Sequence, residues 1–144
     1  MDKLKVAVIG CGNISIMHLE AIVALEESEL VAVCDIKPDR AEHTAERYDV
    51  KAYTDYKQMF ECERLDAVHL CLPHYLHVPV AIDAFKAGIN VLSEKPMSIK
   101  YEDALQAVEA AEQYGVKYGV IFQCRYNTPS MLVKQRVCDG SLGA

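Results

Sequence analysis

The sequence has no surplus of basic residues: 15 Lys and Arg stand against 21 Asp and Glu, a formal net charge of -6. A nucleic-acid-binding surface usually carries a basic patch, so no nucleic acid partner is expected. No apolar run approaches the roughly 18 residues that a membrane-spanning helix needs. The start Met1-Asp2-Lys3 lacks the apolar stretch of a secretory signal. The expectation is a cytoplasmic protein with no membrane contact. The six cysteines form no C-x-x-C pair, and no His-Cys cluster has zinc spacing. Repeats, linkers and low-complexity segments are also missing.

The thiols that are present read mostly as small hydrophobes. Cys34, Cys71 and Cys124 fall in apolar, strand-like runs and are expected to be reduced and buried. Cys11 falls at an expected helix start, where a thiolate is favoured. A small residue in a turn is the simpler reading of it. With 144 residues, 51% hydrophobic and 25% charged, the chain is long enough for one domain with a substantial core.

Short apolar runs alternate with helical patterns from end to end. Strands are expected at 4–9, 30–34, 51–53, 67–72, 90–93 and 116–122. Helices are expected over about 13–26, 38–48, from 55, up to 87, from Ser98 as N-cap to 114, and 129–139. Pro38 suits a first helical turn, and Gly88, Gly115 and Gly140 suit helix ends. The strands are continuous rather than alternating apolar runs, so both sheet faces should be covered. The fold class is therefore α/β: a doubly wound, mostly parallel sheet of the Rossmann type that binds dinucleotides.

Three stretches sit at the carboxyl ends of expected strands, the rim where an open α/β sheet binds ligands. The first is Gly10-Cys11-Gly12-Asn13-Ile14. Gly10 permits a tight turn, Gly12 lets the backbone approach a pyrophosphate, and the new helix points free N–H groups at that anion. Ser15 occupies the third small position. Asp35 follows the second strand about 20 residues on, where a carboxylate accepts the ribose hydroxyls of adenosine. It disfavours a 2′-phosphate, although Lys37 and Arg40 could neutralise one. NAD is the expected cofactor, with NADP as the alternative.

The second stretch is Leu72-Pro73-His74 with His77. Pro73 shapes the loop, and the two histidines are candidates for cofactor or substrate contact. Two His three apart also raise a metal site, but no third ligand accompanies them and no metal is expected. The third stretch is Glu94-Lys95-Pro96. A lysine there polarises a carbonyl or alkoxide oxygen and moves a proton, and partial burial would tune its amine for that work.

Together these stretches resemble the Gfo/Idh/MocA family, the glucose–fructose oxidoreductases and inositol dehydrogenases. Phe122-Gln123-Cys124-Arg125-Tyr126-Asn127 also resembles the family's segment after its sixth strand. The resemblance spans essentially the whole chain, with Glu94-Lys95-Pro96 its most specific element. His74 stands where Asn is more common, and Ser15 where Gly or Ala is. The resemblance implies that Lys95 is the catalytic lysine beside nicotinamide and substrate hydroxyl. It implies that Glu94 meets the nicotinamide ribose, and that Pro73, His74 and His77 line the nicotinamide side. Gln123 is implied near the cofactor and Arg125 near the substrate.

The function so implied is hydride transfer between NAD(P) and a hydroxyl or carbonyl of a sugar or cyclitol-like molecule. Family enzymes continue into a second domain that supplies most substrate contacts and the oligomer interface. Residues 1–144 are thus expected to be one dinucleotide-binding domain, with about 123–144 leading to that absent domain. The full-length protein is expected to be a homo-oligomeric dehydrogenase, and this chain alone to bind cofactor without turnover. The alternative is a non-catalytic NAD(P)-binding sensor, which would have no use for Lys95.

Overall fold

The computed structural model describes residues 2–143. Six strands form one parallel sheet: β1 (Leu4–Ile9), β2 (Ser28–Cys34), β3 (Lys51–Tyr53), β4 (Ala67–Leu70), β5 (Asn90–Ser93) and β6 (Tyr118–Val120). Their spatial order is β3-β2-β1-β4-β5-β6. The chain runs outward from β1 to β3, returns to the middle at β4, and runs outward again. The point of return, between β1 and β4, is where this topology opens a crevice above the strand ends. This is the doubly wound α/β fold that the alternating pattern predicts.

Helices α1 (Ser15–Ala24), α2 (Pro38–Tyr48), α3 (Tyr56–Cys62), α4 (His77–Lys86), α5 (Tyr101–Tyr114) and α6 (Thr128–Cys138) connect or follow the strands. Two short 3₁₀ turns, His74–Leu76 and Gln123–Tyr126, precede α4 and α6. On one sheet face Met59 of α3, Ala81, Ala84 and Phe85 of α4 and Ala111 of α5 pack with Ala7, Ile9, Val68, Leu70 and Val91. On the other, Leu19 and Ile22 of α1 and Ala45 of α2 pack with Val6, Val8, Val33 and Cys71. Among the described residues no helix is long and apolar enough to cross a membrane.

Several local expectations are corrected. The last four residues of β1 are buried on both faces, but β4 and β5 alternate between buried and half-buried residues and β6 is half-buried throughout. Helices α4 and α5 cover one face there, while on the other face α1 reaches β4 through His18. Strand β2 starts earlier than expected, at Ser28, whereas β4 stops at Leu70 and β6 is confined to Tyr118–Val120. Helix α1 starts at Ser15 rather than Asn13, and α5 starts at Tyr101. Ser98 does not cap α5: its Oγ accepts the Lys100 N–H at 3.1 Å and closes a turn just before the helix. Cys124 is exposed on its 3₁₀ turn instead of buried in a strand, and Cys62 and Cys138 are exposed as well.

Candidate functional site

Gly10 ends β1 with φ +97, a conformation that side chains rarely adopt. A Cβ here would lie 2.3 Å from the Cys71 carbonyl oxygen, so β1 and the end of β4 approach too closely for any other residue. At Gly12 an added Cβ would meet nothing within 4 Å, which leaves open space above the turn. The N–H groups of Gly12, Asn13 and Ile14 find no acceptor among the described residues, and no side chain caps α1. A helix start with free donors and a positive dipole end suits an anion. Ser15 is buried and its Oγ donates to the Gly12 carbonyl at 2.6 Å, which ties the turn to the helix.

Asp35 is fixed by two main-chain donors. Its Oδ2 accepts the Cys11 N–H at 2.8 Å, and its Oδ1 accepts the Lys37 N–H at 2.9 Å. The Cys11 N–H is therefore spent on Asp35 and is not free for a phosphate. The Cys11 thiol is not the thiolate that a helix start could favour, in keeping with its reading as a small turn residue. Burial, with a smaller contribution from the nearby Asp35 charge, pushes it up to about 11. Cys34 and Cys71 are pushed up to about 12, chiefly by burial.

A cleft of about 910 Å³ opens at the point of return in the sheet. Gly10, Gly12, Asn13, Ile14, Asp35, Leu72 and Pro73 line it, so the structure brings these expected residues together. Ile36, Lys37, Arg40 and Tyr56 add to its walls. Its size lies within the range of small-molecule and cofactor sites.

The remaining expected residues lie elsewhere. His74 is exposed and lines a separate groove of about 440 Å³ with Ser98, Lys100 and Asp103. His77 is corrected: its ring is fully buried, with Nδ1 at 2.7 Å from the Pro96 carbonyl and Nε2 at 2.9 Å from the Leu72 carbonyl. It ties the Pro73 turn to the Lys95-Pro96 bend and has no free atom for a ligand. Lys95 is exposed, so the burial expected to tune its amine is not present. Gln123 and Arg125 are exposed on the 3₁₀ turn beyond edge strand β6.

Glu94 is buried, and two donors meet its carboxylate. Oε1 lies 3.2 Å from His18 Nε2, and Oε2 accepts the Lys95 N–H at 3.2 Å. His18 in turn lies with its Nδ1 at 3.0 Å from His69 Nδ1. Burial, then the neighbouring His18, lowers His69 to about 4, so it is neutral near pH 7. Sequence reasoning missed both histidines. A signal was there, because His18 falls on the stripe Ser15, His18, Leu19, Ile22 and His69 interrupts the apolar run of β4.

A glycine turn with free N–H groups, a fixed carboxylate and a cleft at the sheet's point of return define a dinucleotide-binding domain. Residues 4–122 match the family model described as the oxidoreductase family, NAD-binding Rossmann fold, Gfo/Idh/MocA. The chain belongs to that family and is its NAD-binding Rossmann domain. It is 31% identical over 145 residues to inositol 2-dehydrogenase of Rubrobacter xylanophilus, covering 99% of this chain and 42% of that protein. It is 30% identical to D-glucoside 3-dehydrogenase of Escherichia coli, covering 99% of this chain and 41% of that one. The crystal structure of the WlbA dehydrogenase from Bordetella pertussis, in complex with NADH and UDP-GlcNAcA, superposes with a TM-score of 0.94 at 33% identity. That match covers 96% of this chain and 43% of the other. The chain thus spans about two fifths of the length of the curated relatives it matches.

Proposed function

We propose that this chain is the cofactor-binding part of an NAD-dependent dehydrogenase acting on a secondary hydroxyl, or the matching carbonyl, of a sugar or cyclitol. The observation that carries the reading is Asp35, held by two main-chain N–H groups on the wall of the glycine-turn cleft. The residues present fit a dinucleotide. The free N–H groups of Gly12, Asn13 and Ile14 would bind the pyrophosphate, and Asp35 would accept the adenosine ribose hydroxyls. Leu72 and Pro73 would carry the wall toward the nicotinamide end. NAD, when bound, supplies the hydride chemistry.

The protein's own part is to bind, orient and move a proton. Glu94 would hold the nicotinamide ribose. Lys95, whose side chain is exposed, would exchange a proton with the substrate oxygen. Gln123 and Arg125, on the exposed turn beyond β6, would approach cofactor and substrate. The names of the relatives, inositol and glucoside dehydrogenases, support a polyol substrate. A cytoplasmic location and assembly of the whole protein into a homo-oligomer belong to the same proposal.

Fluorescence titration of the chain with NADH and NADPH tests it. NADH is expected to bind more tightly, because Asp35 would face a 2′-phosphate with like charge. Asp35→Ala removes a charged acceptor, worth about 1.5–3 kcal/mol, so NADH affinity should fall roughly ten- to hundredfold. Tighter binding of NADPH, or an Asp35→Ala variant with unchanged affinity, overturns the assignment.

A further inference from the structure

A line from half-buried His69 through buried His18 to buried Glu94 crosses the open half of the sheet and ends at the Glu94-Lys95-Pro96 corner. His69 stands on β4, His18 on α1, and Glu94 just beyond β5, so three separate elements supply it. A carboxylate as buried as Glu94 is costly unless its oxygens are hydrogen-bonded. It can only accept, so His18 must present Nε2–H to Oε1. A His18 ring with its one hydrogen on Nε2 leaves Nδ1 to accept the His69 Nδ1–H, 3.0 Å away.

The groups facing this line are few. Glu94 and His69 meet the His18 ring, the rest of the buried stripe on α1 is Ser15, Leu19 and Ile22, and Cys71 lies close enough for the Glu94 charge to raise its thiol. A carboxylate has about four acceptor sites. The His18 ring and the Lys95 N–H occupy one on each oxygen, and the carboxylate keeps capacity for a ligand hydroxyl.

We propose that His18, its tautomer set by His69, is a positioning residue that holds the Glu94 carboxylate in the orientation needed to grip the cofactor ribose. The proposal rests on Glu94 being the residue that meets that ribose. His18 itself touches neither cofactor nor substrate. It acts through Glu94, and through Glu94 on the backbone of Lys95.

The test uses the whole chain with NADH as the probe, together with NMR of ¹⁵N-labelled histidine. The wild-type spectrum should show His18 with a hydrogen fixed on Nε2. His18→Leu should weaken NADH binding about five- to tenfold, a part of the roughly ten- to hundredfold worth of a hydrogen bond to a charged group, because His18 acts only through Glu94. His18→Gln, whose amide N–H can reach Glu94, should return affinity to within about twofold. If His18→Leu does not fold, His69→Leu serves instead, and should loosen the His18 tautomer and weaken NADH binding by about threefold. A folded His18→Leu that binds NADH like the wild type overturns the proposal. So does a failure of His18→Gln to rescue, or a wild-type His18 lacking the Nε2 hydrogen. A wild-type chain that does not bind NADH sinks the cofactor reading itself, whereas binding insensitive to His18 sinks only this inference.

Discussion

Gly10 and Gly12 belong to one fingerprint but answer different demands. Gly10 is required by the fold, since its φ is +97 and an added Cβ would lie 2.3 Å from a carbonyl oxygen of the neighbouring strand end. Backbone cannot yield there without separating β1 from β4. Gly10→Ala should cost about 2–4 kcal/mol, combining left-handed strain with overpacking. A thermal melt should show a loss of roughly 5–15 °C. Gly12 has open space around it. Gly12→Ala should melt within about 2 °C of the wild type, while its methyl group enters the space a pyrophosphate would take. Equal melting temperatures for the two variants would contradict this division. The glycines and Asp35 were legible in the sequence because their roles depend on local turn geometry and strand order. His18 and His69 were not, because their pairing depends on how α1 crosses β4. That is a tertiary fact, hinted at only by titratable residues on apolar stripes.

Elements differ in how far their neighbours complete them. Helix α1 buries Ser15, His18, Leu19 and Ile22, whereas α6 buries nothing, although Met131, Leu132, Val133 and Val137 are all apolar. With 11 residues, α6 is below the about 12–15 that an isolated helix needs for even marginal stability in water. Hydrogen exchange on the monomeric chain should therefore find its amides within about a hundredfold of unstructured rates, while β1 is protected to near the global limit. Protection of α6 equal to that of β1 would show that something covers its apolar side. The sequence predicted this helix well, since Pro129 in its first turn and Gly140 beyond its end are local signals. The helix start at Tyr101 and the shortness of β4 and β6 were less legible. Strand ends are set by pairing register, and Ser98 is equally suited to capping a helix or closing a turn.

The molecule as a whole is a sheet finished on one face and half finished on the other, and that asymmetry sets its response to acid. His69 and Glu94 lie on the half-finished side, roofed by α1 through His18. His69 is neutral in the folded chain, lowered to about 4 by burial and then by His18, against an ordinary value of 6.5. The unfolded chain thus binds a proton at this site between pH 6.5 and 4 that the folded chain refuses. Stability is complete above about pH 6.5 and declines as the pH falls toward 4, with stability rising with pH across that window. At about 1.4 kcal/mol per pKa unit the site contributes on the order of 3 kcal/mol. Below about pH 4.5, the ordinary value of its carboxyl, Glu63 adds a weaker trend of the same sign. Hydrogen bonds from Lys51 and Tyr53 hold its carboxyl below the usual range, but Lys51 is largely exposed. Urea unfolding at a series of pH values should show free energy falling between pH 6.5 and 4. His69→Leu should flatten that fall by more than half, because it removes the titrating ring while Glu63 remains. A His69→Leu profile parallel to the wild type would place the acid sensitivity elsewhere in the fold.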